Sequence, residues 1–263
     1  MLNNKKIGSV SGTGWCRSAN EYFAKWIGLN RPFFDLSKEF LPLNPKNECI
    51  HVPGVGPGFE LKFLHDVYPN SPILASDISP EMVKNAKTRY NAPFYFLGDI
   101  SAIPVQSVFA SVSYFTVHLV RYSFEAIKSQ YDSLVPGGKI FAVYFPPTPI
   151  GKEGPLVSLH RASHTLSPRP DSDWEAQSLS FLRETGASDV ELTHLNAHWE
   201  FDSVQDLRET MEVLPHIRGI RKRAGEEFYN KLWSLCLDDP GLSFDGTRWK
   251  GPVGATILTA TKS

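Results

Sequence analysis

The chain has 263 residues, 41% of them hydrophobic and 21% charged, the proportions of a globular protein with a sizeable core. Its net charge of -1 and pI near 6.7 exclude nucleic-acid binding driven by bulk electrostatics, and no stretch approaches the roughly 18 apolar residues of a membrane span. Cys16, Cys49 and Cys236 are too far apart for a metal-ligand motif and read as reduced thiols. "MLNNKKIGSVSGTGW" has no apolar run, so no secretory signal is expected and the location is expected to be cytoplasmic.

In chain order, residues 1–45 read as a helical cap, with Tyr22, Trp26 and Leu29 on one helical face. "CIHV" is a short apolar strand that runs into the glycine turn "GVGPG". "GFELKFLHDVYP" carries Phe59, Phe63 and Val67 at helical spacing and ends at a proline. "PILAS" is the second strand. "SPEMVKNAKTRY" is a helix with Ser79 as N-cap and Pro80 in its first position. "FYFL" and "SVFASVSYFTV" are strands, the second apolar enough for the middle of a sheet. "EAIKSQYDSL" is a helix stopped by "VPGG", and "KIFAVYF" is a further strand.

Strands alternating with helices predict an α/β fold: a doubly wound, mostly parallel, seven-stranded sheet of Rossmann-like type. The cap at 1–45 then precedes one domain at 46–263, with substrate-side insertions at 146–172 and 196–250. The first insertion is a loop rich in Pro, Ser and His; the second holds two helices near 203–213 and 220–237. "DVELTHL" is expected to pair with the last strand, "GATILTATK", at the sheet edge.

Ligands of such sheets bind beyond the carboxyl ends of the strands, where "GVGPG" falls. Gly54, Gly56 and Gly58 are spaced G-x-G-x-G, tighter than the G-x-G-x-x-G turn that cradles a pyrophosphate. Asp77 ends the second strand, where a carboxylate can accept from both ribose hydroxyls of an adenosine. "GDISAIP" puts Asp99 after the third strand, within reach of an adenine amino group.

These segments, in this order, resemble a class I S-adenosylmethionine-dependent methyltransferase of the small-molecule type. "WCRSANEY" resembles the preface that caps the cofactor, "SDISPEMVKNAK" the ribose segment, "GDISAIP" the adenine turn, "SYFTVHLV" the fourth strand and "LVPGGKIFAVYF" the turn into the fifth. The resemblance implies S-adenosyl-L-methionine as cofactor. It would set Gly54, Gly56 and Gly58 against the methionine part, Asp77 on the ribose, Ile78 and Met82 on the adenine face, and Asp99 with Ile100 at the adenine edge. Tyr22 would cap the cofactor, and Tyr22, Tyr114 and Phe115 could face the sulfonium.

Two positions depart from the family. Val52 stands where the family has an acid two residues before the first glycine, which removes an acceptor for the methionine ammonium. Phe109 stands where an Asp is common, and is expected to affect only strand packing. His118 is the candidate general base for an acceptor that must lose a proton, with His160, His164, His194 and His198 as weaker candidates. Arg218, Arg221, Lys222 and Arg223 read as a solvated helix face. The expectation is methyl transfer to a small aromatic or apolar metabolite, without nucleic acid, membrane or metal, and with homodimerisation open. The alternative is a cofactor-binding relative that catalyses a non-methylating reaction or transfers nothing.

Overall fold

The computed structural model describes residues 13–44, 46–90, 94–147, 157, 159 and 173–263. Five strands alternate with helices in the first half: β1 (Ile50–Pro53), β2 (Ile73–Asp77), β3 (Phe94–Leu97), β4 (Val108–Tyr114) and β5 (Leu134–Tyr144). They are followed by β6 (Ser188–Phe201), β7 (Ser243–Phe244) and β8 (Trp249–Thr261). The sheet order is β3-β2-β1-β4-β5-β8-β6, with β7 paired to β8. Pairings from β3 through β5 are parallel, whereas β8 runs antiparallel to both β5 and β6. Strand order reverses between β1 and β4, which opens a crevice at their carboxyl ends.

The helices are α1 (Thr13–Ser37), α2 (Leu61–Val67), α3 (Pro80–Arg89), α4 (Ser123–Asp132), α5 (Trp174–Glu184), α6 (Val204–Glu212) and α7 (Pro215–Leu237). Helix α3 begins as its sequence predicts: Ser79 Oγ accepts from the Met82 N–H at 3.3 Å, with Pro80 in the first turn. No described helix is long and apolar enough to cross a membrane.

Three boundaries differ from the sequence reading. β6 runs on to Phe201 because Leu195, Ala197, Trp199 and Phe201 are buried in alternation with exposed neighbours, the period of a half-buried strand. The second insertion therefore begins after this strand, and its second helix starts at Pro215. β5 begins at Leu134, because the "VPGG" segment joins the sheet: Gly137 N–H donates to Lys262 O and Lys262 N–H to Gly138 O, both at 2.8 Å. The sheet also gains the two-residue β7. Of the 146–172 loop, all but residues 146, 147, 157 and 159 lie outside the described residues, as do His160 and His164.

Helix α1 is fastened across the β6 end of the molecule by two indoles. Trp26 Nε1 donates to Thr210 O in α6, and Trp199 Nε1 in β6 donates to Leu29 O, both at 3.0 Å. The rings meet edge to face at 5.3 Å, and Tyr22, Trp26 and Leu29 are buried together. Replacing Trp199 by Ala removes the hydrogen bond and leaves a cavity. The expected loss is about 3–5 kcal/mol in denaturant unfolding, against about 0.5 kcal/mol or less for the exposed Phe228→Ala.

Candidate functional site

The carboxyl ends of β1, β2 and β4 meet at one hydrogen-bonded junction. Thr116, just past β4, donates its Oγ1–H to Gly54 O at 2.8 Å. Gly56 N–H donates to Asp77 Oδ2 at 2.9 Å, and Ser79 N–H to Asp77 Oδ1 at 2.8 Å. Gly54 has φ +69°, and a Cβ built there would lie 2.1 Å from Thr116 Cγ2, so only glycine fits. Phe115 adopts φ +53° at the strand end, a conformation that costs a bulky residue energy and marks a position held for a purpose.

One cavity opens at this junction, walled by α1, the glycine turn and the ends of β2 and β4. Tyr22, Gly54, Gly56, Asp77, Ile78, Met82, Asp99, Ile100 and Phe115, all singled out from sequence, line it. Asp99 caps the short turn of Ile100–Ala102, its Oδ1 accepting from Ser101 N–H and Oγ–H at 2.9 and 2.8 Å. Trp15, Phe34, Phe59 and Tyr114 add an aromatic wall. The segment 119–122 lines the cavity beyond β4.

Gly58 is absent from the lining. At φ +88° it shapes the turn, and a Cβ there would press on Tyr90 and Leu61 at 3.0 and 3.2 Å. His118 is also outside the lining; its ring packs edge-on against Phe145 at 5.0 Å and Phe115 at 6.5 Å. His194 and His198 sit on the exposed face of β6. The basic cluster of α7 is on the surface, with Arg218 paired to Glu21 at 3.0 Å and Arg221 to Glu226 at 2.5 Å, contacts of little energetic weight. Val52 is fully buried among apolar residues of the core and does not reach the cavity.

Sequence reasoning missed Glu60 and Asn30. Both line the cavity, at 2% and 1% exposure, and both Glu60 Oε1 and Asn30 Oδ1 are buried without a hydrogen-bond partner. Glu60 reads as a solvated charge if "GFELKF" is helical from its start, but α2 begins at Leu61, which leaves Glu60 in the glycine turn. Asn30 falls eight residues after Tyr22, on the buried face of α1, and a polar residue at an apolar position was the signal available.

Burial dominates the electrostatics. It pushes the Glu60 carboxyl up to about 8, with its own backbone N–H opposing and Asp77 adding repulsion. Burial likewise raises Asp77 to about 6, against the hydrogen bonds from Ser79, Gly56 and Ile78. An acid whose folded pKa is raised stabilises the fold fully below its unfolded pKa, and that contribution is lost as pH rises through the folded value. For Glu60 the window runs from its ordinary value near 4.5 to about 8. Glu60→Gln is therefore expected to melt increasingly above the wild type as pH rises from 5 to 8. About 1 kcal/mol corresponds to ~2–4 °C in a chain of this size; a constant gap across those pH values would show that Glu60 does not titrate in this window.

Residues 52–142 match the family model of the methyltransferase domain. No curated protein matches the chain in sequence. A Bacillus halodurans protein assigned as a methyltransferase superposes with a TM-score of 0.56 at 16% identity, over 87% of this chain and 98% of its own. An S-adenosylmethionine-dependent methyltransferase of Thermotoga maritima gives 0.53 at 15%, over 95% and 99%. Geranyl diphosphate C-methyltransferase of Streptomyces coelicolor A3(2), solved with Mg2+, geranyl diphosphate and S-adenosylhomocysteine, gives 0.51 at 13%, over 93% and 83%. Residues 52–142 thus match a methyltransferase domain, and the chain has the fold of these methyltransferase structures.

Proposed function

We propose that this protein transfers a methyl group from S-adenosyl-L-methionine to a small aromatic or apolar metabolite. The observation that carries the reading is the cavity at the strand ends, with carboxylates at the ends of two strands and aromatic rings on the wall formed by α1 and β4. The residues present fit an adenosyl ligand. Gly56 lines the cavity with open space where a Cβ would point, so a ligand can approach the backbone there. The Asp77 carboxylate accepts from the backbone N–H groups of Gly56, Ser79 and Ile78 and keeps acceptor capacity for a ribose hydroxyl.

On this reading Gly54 and Gly56 lie along the methionine part, Asp77 accepts from the ribose, Ile78 and Met82 cover the adenine, and Asp99 with Ile100 meets its edge. Gly58 acts one step removed, by setting the turn. The cofactor supplies an electrophilic methyl on a sulfonium. What the chain supplies is alignment, exclusion of water and electron-rich faces at Tyr22, Tyr114 and Phe115. Helix α1 forms the roof. For an acceptor that loses a proton, His118 is the candidate base from the sequence, but its ring packs against Phe145 and Phe115 outside the cavity lining; an acceptor already nucleophilic needs none. The compartment consistent with this chemistry is the cytoplasm.

A second reading, cofactor binding without transfer, is favoured by Val52 at the usual acid position. Incubation with methyl-labelled cofactor and a metabolite extract separates the two. The first reading predicts labelled product from the wild type. It also predicts a loss of about tenfold or more at subsaturating cofactor for Asp77→Ala, which removes hydrogen bonds to a charged acceptor. Tight cofactor binding with no labelled product would leave the second reading.

A further inference from the structure

Deepening the reading above and resting on it, we propose that Glu60, with Asn30, holds the α-ammonium of the cofactor's methionine end and so replaces the acid absent at Val52. Glu60 and Asn30 come from different elements, the glycine turn and α1, yet their unpartnered oxygens lie in the same cavity. Both atoms are acceptors, so the missing partner is a donor.

The surroundings specify the donor's charge. An ionised carboxylate buried without a partner is among the costliest groups a core can hold; burial therefore keeps Glu60 protonated up to about 8 with no cation beside it, and an ammonium in contact is what would let it ionise. Among the described residues no lysine or arginine answers it: the one cation of these that lines the cavity is the exposed Arg121, beyond β4. The groups that face Glu60 electrostatically are Asp77 from β2, Tyr22 from α1, Tyr114 from β4 and Tyr90 after α3. All of them carry negative charge or none. Three carboxyl groups, Glu60, Asp77 and Asp99, therefore line one cavity with only the exposed Arg121 as a described cation, while a ring wall of Tyr22, Phe34, Phe59 and Tyr114 favours a cation further. A ligand ammonium satisfies both orphan oxygens and neutralises Glu60.

Glu60 is also where chain geometry allows an acid once β1 cannot supply one. Val52 points into the core, whereas Glu60 lies four residues beyond Gly56 at the end of the same turn. The ammonium is thus met from the α2 side of the turn, while Gly54 O on the β1 side already accepts one hydrogen bond, from Thr116.

Calorimetry at pH 8 with two neutral-sulfur probes tests the assignment: S-adenosylhomocysteine and its deamino analogue, which keeps the adenosine, thioether and carboxylate. Wild type is expected to favour S-adenosylhomocysteine by roughly tenfold or more, the worth of a charge-assisted hydrogen bond. Glu60→Gln, which preserves shape and removes a buried charge, is expected to erase that preference by weakening S-adenosylhomocysteine alone. Equal affinity of wild type for the two probes, or a Glu60→Gln effect that is nil or the same on both, would overturn the proposal while leaving the cofactor reading intact. Failure of wild type to bind either probe would overturn both.

Discussion

The hydrogen bond from Gly56 N–H to Asp77 Oδ2 is the constraint on which the site depends. It ties the turn after β1 to the last residue of β2, so the backbone that a ligand approaches and the acid that would receive its ribose are positioned by one another. Thr116 adds the end of β4 to the same knot through Gly54 O. Three parallel strands that share a sheet would place these termini near one another in any doubly wound fold; the side-chain-to-backbone bonds set them at hydrogen-bonding distance. Such preorganisation matters for a displacement whose barrier depends on alignment more than on proton movement.

The roof is a separate achievement of packing. α1 has little reason to lie across the glycine turn on its own propensity, and the reciprocal indole bonds of Trp26 and Trp199 hold it there. Its contribution to the cavity follows from helical spacing: Trp15, Tyr22, Asn30 and Phe34 reach the same space. Edge-to-face rings link the roof to the floor, Tyr22 to Phe59 at 5.2 Å and Phe34 to Tyr114 at 5.0 Å. The long β6–β8 pair, which supplies Trp199, is therefore part of the site's support although it contributes nothing to its lining.

The parallel half of the fold was legible because each strand ends in its own punctuation: glycines after β1, Ser79-Pro80 after β2, Gly98-Asp99 after β3. The cavity-lining acids Asp77 and Asp99 could be read for the same reason, since a charge at a strand's carboxyl end stands out against an apolar run. Glu60 was hidden because its role depends on where α2 begins, and one residue of difference turns a solvated helical charge into a buried group of the turn. His118 and Gly58 show the converse. Their types suit the chemistry, but side-chain direction turns the first toward Phe145, and close packing on Tyr90 gives the second a structural task. The reach of β6 escaped because its outer half alternates with the polar residues Asn196, His198 and Glu200, as an edge strand exposed on one face does.

An account built on one cavity, two strand-end acids and a buried glutamate is tested most directly by the crystal structure of the complex with S-adenosylhomocysteine. The ribose hydroxyls should lie within hydrogen-bonding distance of Asp77, the adenine beside Asp99 and Ile100, and the amino group against Glu60 Oε1 and Asn30 Oδ1, with α1 closed over the thioether. A ligand bound elsewhere, or bound in this cavity with its ribose away from Asp77, would contradict the account.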